Sequence, residues 1–127
     1  MSASSETRKT QVHFVSGRPG PARGEALSSL VRGLPGQAAV VLVLEGAPTD
    51  GSAESDLLLD LPVHRLAPGC PCCIGNLTLR VTLARILRAA APDHMVIALI
   101  EPEHVPNLCR LLSAAPWDVR LQCPDCR

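Results

Sequence analysis

The sequence predicts an α/β domain, a mostly parallel sheet in three layers with helices on both faces. Three observations predict it. Two stretches, the wholly apolar run 38–44 and residues 94–100, apolar after His94, have the character of strands buried on both faces rather than on one. Stretches with helical spacing of apolar residues alternate with the strand candidates along the chain. The length, 127 residues, suits one domain with a single core.

The elements follow in order. Residues 1–10 are polar and read as a disordered tail. Residues 11–16 (Gln-Val-His-Phe-Val-Ser) read as the first strand, ending at Gly17-Arg18-Pro19-Gly20-Pro21. That Gly/Pro cluster breaks structure before a helix over residues 25–32, where Ala26, Leu27, Leu30 and Val31 share a face. Gly33 suits a helix stop, and Pro35-Gly36 a turn. The apolar run 38–44 is the second strand, and residues 45–55 form a loop rich in Gly, Pro, Ser and Asp. Residues 57–61 are ambiguous; after Pro62 a strand is expected over 63–66.

Asn76 is placed to cap a helix running to about Ala90. Its apolar stripe is Leu79, Leu83, Ile86, Leu87 and Ala90, with Arg85 and Arg88 outside. Pro92 ends it, the run 94–100 is the next strand, and Pro106 suits the first turn of a third helix through Ala114. Residues 117–121 read as a last strand. The domain therefore spans residues 11–121, and residues 122–127 form a Cys-x-x-Cys tail.

Composition excludes several functions. The formal net charge is zero, so nothing in the electrostatics calls for nucleic acid or an anionic membrane. One Trp, one Phe and no Tyr leave no stacking platform for single-stranded nucleic acid. The core must be built from Leu, Val, Ile and Ala. The start of the chain lacks the apolar centre of a signal peptide, and the run 38–44 is too short to span a bilayer. The expectation is a cytoplasmic protein with no membrane partner. In that reducing compartment six Cys are better explained by metal or redox chemistry than by structural disulfides.

Gly69-Cys70-Pro71-Cys72-Cys73 concentrates the chemistry. Three thiols within four residues, stiffened by Pro and Gly, can aim two or three sulfurs at one Zn²⁺ or Co²⁺ ion. Buried apolar thiols and a redox role, by disulfide or reactive thiolate, are the alternatives. Cys123 and Cys126 have the spacing that grips one zinc ion. They can complete a site with Cys70, Cys72 and Cys73, form half of a zinc knuckle shared with a second copy, act as a redox pair, or do nothing. Cys109, inside a helix candidate, reads as a core residue.

This order of parts resembles the CobW-type family of P-loop GTPases and metallochaperones. Gly69-Cys70-Pro71-Cys72-Cys73 matches that family's Gly-Cys-x-Cys-Cys loop, with a strand before it and a helix after it. The similarity runs over roughly residues 11–115, the first part of a typical member. It implies a truncated P-loop NTPase-like fold and a carboxylate near the metal. Glu45 stands at about the family's Asn-Glu loop, with Leu44 in place of the Asn.

The resemblance also implies a phosphate loop, and there the residues depart from the pattern. In Gly17-Arg18-Pro19-Gly20-Pro21-Ala22-Arg23-Gly24, Gly17 and Gly20 keep the family's spacing. Ala22 replaces a Gly, Arg23 replaces the Lys that reaches phosphates, and Gly24 has no hydroxyl for Mg²⁺. Pro19 and Pro21 remove backbone donors. Arg23 can still attract an anion at a helix N-terminus, and an ordinary Gly/Pro turn is the other reading. Further on, Ala98 stands where the family has a Glu, no Thr-Gly follows, and no Asn-Lys-x-Asp segment is present.

Four imidazoles complete the inventory. His64 precedes the thiol loop, and His94 and His104 flank the later strand, His104 on the side expected to face the thiols. His13 reads as structural. The expected protein binds Zn²⁺ or Co²⁺ through Cys70, Cys72, Cys73, Cys123, Cys126 and Glu45, and stores, delivers or senses the metal. Its partners would be a metal-receiving protein or a second copy. Gly17, Gly20 and Arg23 are the candidate cofactor-binding residues of a degenerate phosphate loop; GTP with Mg²⁺ is not the expected cofactor, and no catalytic residue is assigned. A protein with residual GTP hydrolysis and a thiol redox switch are the alternatives.

Overall fold

The computed structural model describes residues 9–46, 61–66 and 77–124. Five strands are present among them: β1 (Thr10–Ser16), β2 (Val40–Glu45), β3 (Val63–Leu66), β4 (His94–Leu99) and β5 (Leu121–Gln122). Three α-helices, α1 (Pro21–Arg32), α2 (Leu77–Ala90) and α3 (His104–Leu112), alternate with them, and a 3₁₀ turn covers Trp117–Val119. The sheet order is β3-β2-β4-β1-β5, and every pairing is parallel.

The layers follow from that order. The connection from β1 to β2 passes over β4 in one direction, while those from β3 to β4 and from β4 to β5 run in the other. Crossovers of one hand then put α1 on one face of the sheet and α2 and α3 on the opposite face. The two cores agree. Leu27 of α1 packs with Leu42, Leu44, Val96 and Ala98. On the other side Leu79, Leu83, Ile86 and Leu87 of α2 and Leu108 and Leu112 of α3 pack with Val12, Val41, Val43, Met95, Ile97 and Leu99. Alternate residues of β2 and β4 thus serve opposite cores, which is why their sequences are apolar throughout.

Several boundaries differ from the sequence reading. Helix α1 starts at Pro21, four residues before residue 25, with Pro in its first turn and Gly20 as N-cap. The ring supplies a helical φ where no N–H is needed, so this Pro starts the helix rather than breaking the chain before it. Strand β2 starts at Val40 and takes in Glu45, which the sequence reading gave to a loop. Thr10 belongs to β1 rather than to a tail: it is 3% exposed, and its hydroxyl donates to the Pro92 carbonyl at 2.6 Å. Trp117–Val119 is a 3₁₀ turn, and only Leu121–Gln122 pairs as a strand. The cap at Asn76, the ambiguous stretch 57–60 and most of the loop after Glu45 lie outside the described residues. Among the described residues no helix is long and apolar enough to cross a membrane.

Candidate functional site

Strands β1 and β4 lie side by side, yet the chain leaves them in opposite directions. In open α/β sheets such a reversal opens a crevice at the carboxyl ends of the two strands, and ligands bind there. Here that end is bounded by Gly17 after β1, Glu45 and Gly46 at the end of β2, and Ile100 after β4. The β1–β4 ladder runs one bond past the strands, from the Gly17 N–H to the Leu99 carbonyl at 2.8 Å.

Charged side chains knit these ends together. Arg23, in the first turns of α1, is only 2% exposed. Its Nη1 donates to the Glu45 carbonyl at 2.8 Å and to the Gly17 carbonyl at 3.1 Å. Glu45 is 1% exposed, and its Oε1 accepts from the Ile100 N–H at 2.8 Å. Arg65 of β3 donates through Nη1 to the Gly46 carbonyl at 2.8 Å. The two guanidinium groups thus donate charge-assisted bonds to three carbonyls where β1 and β2 end.

Gly46 closes the space from the side. Its φ is +99°, and a Cβ built there falls 2.7 Å from Pro19 Cγ and 3.4 Å from Ile100 Cδ1. The loop after β1 therefore packs directly on the loop after β2. A phosphate cradle needs backbone N–H groups converging on open space, with a cationic side chain reaching in. Arg23 is folded inward onto two carbonyls, Pro19 sits against Gly46, and Gly24 N–H is bonded to the Gly20 carbonyl at 2.9 Å. With no hydroxyl at Gly24, these residues do not fit a Mg-nucleotide.

The metal candidates divide into two groups. Cys70, Cys72, Cys73 and Cys126 lie outside the described residues. Glu45 lies at the crevice, and Leu66, from which the chain runs on toward Cys70, is its register partner on β3. Cys123 is half-buried and packs against the α2/α3 core just beyond β5. No group of three or more His, Cys, Asp or Glu side chains comes together among the described residues.

The histidines separate by position. His104 opens α3, on the side of the sheet's carboxyl ends, and His64 lies half-buried on β3 opposite Val43. His94 instead begins β4 at the far end of the sheet and pairs with His13 of β1. His13 Nε2 and His94 Nδ1 are 3.1 Å apart, and the ring centroids are 5.3 Å apart. One ring donates and the other accepts, so each fixes its neighbour's tautomer. A separation of 81 positions along the chain hides this contact from a reading of sequence.

Cys109 corrects a further expectation. It is disulfide-bonded, not simply a buried thiol of the core.

No protein-family model matches the chain, and neither a curated protein nor a solved structure matches it significantly.

Proposed function

We propose that this chain is a CobW-like metal-binding protein on a shortened P-loop NTPase-like frame. In this reading it holds Zn²⁺ or Co²⁺ through the thiol loop at Cys70, Cys72 and Cys73, and it has given up GTP hydrolysis. The observation that carries the proposal is the placement of Glu45. A carboxylate buried to 1% exposure stands at the crevice end of the sheet, beside the strand that leads into the thiols. Cys123 and Cys126 supply further thiolates or bind a second copy. Storage, delivery or sensing of the ion follows from thiolate coordination, in which metal uptake releases protons. The inward fold of Arg23 supports the loss of nucleotide chemistry, because phosphoryl transfer depends on holding Mg²⁺ and phosphates together.

The test is elemental analysis of protein purified under reducing conditions without added metal. Wild-type chain should carry zinc or cobalt, and Cys72→Ser with Cys73→Ser should lose most of it. Full metal content in the double variant would refute the assignment. A fluorescent GTP analogue with Mg²⁺ should show no micromolar binding.

The Cys109 disulfide favours a second reading, a thiol redox switch. Counting free thiols before and after reduction, with and without zinc, separates the two. Thiols that zinc protects from a thiol reagent support metal binding. A count that changes with reductant alone supports the switch.

A further inference from the structure

A cleft of about 300 Å³ lies at the opposite end of the sheet from the crevice, between the last turns of α2 and the 3₁₀ turn before β5. Ala84, Leu87, Arg88, Pro116, Trp117 and Arg120 line it. The volume is at the small end of the ~300–1,000 Å³ range of ligand pockets, enough for a ring-sized molecule. Its floor is apolar, from Ala84, Leu87, Pro116 and the half-buried indole of Trp117.

Charge decides the occupant. Two of the six lining residues are arginines and none is acidic. Arg120 is held in place, since Nη2 donates to the Leu87 carbonyl at 3.1 Å. Arg88 is exposed and lies in the last turn of α2. A pinned guanidinium and an exposed one beside an indole suit a flat apolar body that ends in a carboxylate. The ring packs in offset fashion on Trp117, and the carboxylate takes the paired N–H donors that guanidinium offers.

We propose that this cleft binds a small aromatic monocarboxylate. The ring lies against Trp117 and Pro116, and the carboxylate lies between Arg88 and Arg120. The site is remote from the crevice and independent of the metal reading.

Trp117 is the only tryptophan in the chain, so its fluorescence reports on the cleft directly. The experiment titrates the full-length chain with benzoate, with benzamide (ring without charge) and with acetate (charge without ring). Benzoate should change Trp117 emission saturably, with half-saturation on the order of 1 mM. Benzamide and acetate should bind at least about tenfold more weakly, and Arg88→Gln should weaken benzoate by about tenfold. Arg88 is exposed on the helix surface, so that variant should retain the fold, which its circular dichroism verifies. Amide and indole NMR shifts on adding benzoate should cluster at the lining residues. Absence of saturation to about 20 mM, equal binding of benzamide, undiminished binding by Arg88→Gln, or shifts clustered elsewhere would each overturn the proposal.

Discussion

The Nη1 of Arg23 lies 2.8 Å from the carbonyl oxygen of Glu45, joining the first helix to the end of the second strand across 22 residues of chain. Both side chains are almost wholly buried. A charged donor on a buried carbonyl is a stronger bond than a neutral one, and removing it strands the acceptor. Arg23→Met keeps the apolar stem and leaves the Gly17 and Glu45 carbonyls without this donor. It should destabilise the domain by about 2–4 kcal/mol in urea unfolding, the range expected when one partner of a buried charged contact is lost. Unchanged stability would mean that water replaces the guanidinium and that the crevice is open.

Gly46 tests the same closure from the other side. Alanine there must adopt φ +99° and place its Cβ 2.7 Å from Pro19 Cγ. The backbone strain and the contact together should cost about 2–4 kcal/mol. Pro19→Ala in the same chain removes the ring and should recover the contact part alone. The double-mutant cycle should therefore show a coupling of roughly 1 kcal/mol or more between the two positions. Additive costs would place the two loops apart.

How α2 sits on the sheet is checked by two of its residues. Leu83 is 0% exposed in the core, whereas Val81 is 42% exposed on the outer surface. Leu83→Ala removes a packed side chain and leaves a cavity, so it should cost about 2–5 kcal/mol by denaturant midpoint. Val81→Ala should stay within about 0.5 kcal/mol. Comparable costs at both positions would mean the helix is rotated from the position described.

Much of this scaffold was legible because its strands are buried on both faces. Runs such as Val40 to Leu44 and Met95 to Leu99 carry one unmixed signal, and the stripe Leu79-Leu83-Ile86-Leu87 a second one at a different period. Weaker signals misled. Pro21 opens a helix yet reads as a breaker beside Gly20, and Trp117 and Val119 have strand-forming side chains but wind with Asp118 into a 3₁₀ turn.

Contacts that depend on sheet order were not legible at all. Nothing local says that β4 lies between β1 and β2, so the pairing of His13 with His94 and the placing of Arg23 under Glu45 could not be read. The disulfide at Cys109 was missed for another reason: the expected reducing compartment argued against disulfides, and a place inside a helix pointed Cys109 to the core. Glu45 was legible as a candidate through the family resemblance. Its burial follows from its being the last residue of a central strand, and it was missed because the strand was read as ending one residue earlier.

Glu45 also separates the proposed metal chemistry from a purely structural role. Gln at this position keeps an oxygen that can accept from the Ile100 N–H, so the strand ends stay joined. It removes the negative charge that a divalent ion would use. Glu45→Gln should therefore weaken zinc binding by roughly 10–100-fold, the scale seen when groups around a metal are altered, with little change in thermal unfolding of the metal-free chain. The thiols govern the pH dependence. Each thiol must lose a proton to ligate, and an ordinary thiol titrates near ~8.5, so affinity should fall as the pH is lowered. Two ligating thiols give a loss of about 10²–10⁴-fold between pH 8 and pH 6, and that slope should persist in Glu45→Gln because the thiols still supply the protons. Competition against a chromophoric chelator measures both quantities. A variant that binds zinc as tightly as the parent would remove Glu45 from the site, and a pH-independent affinity would remove the thiols.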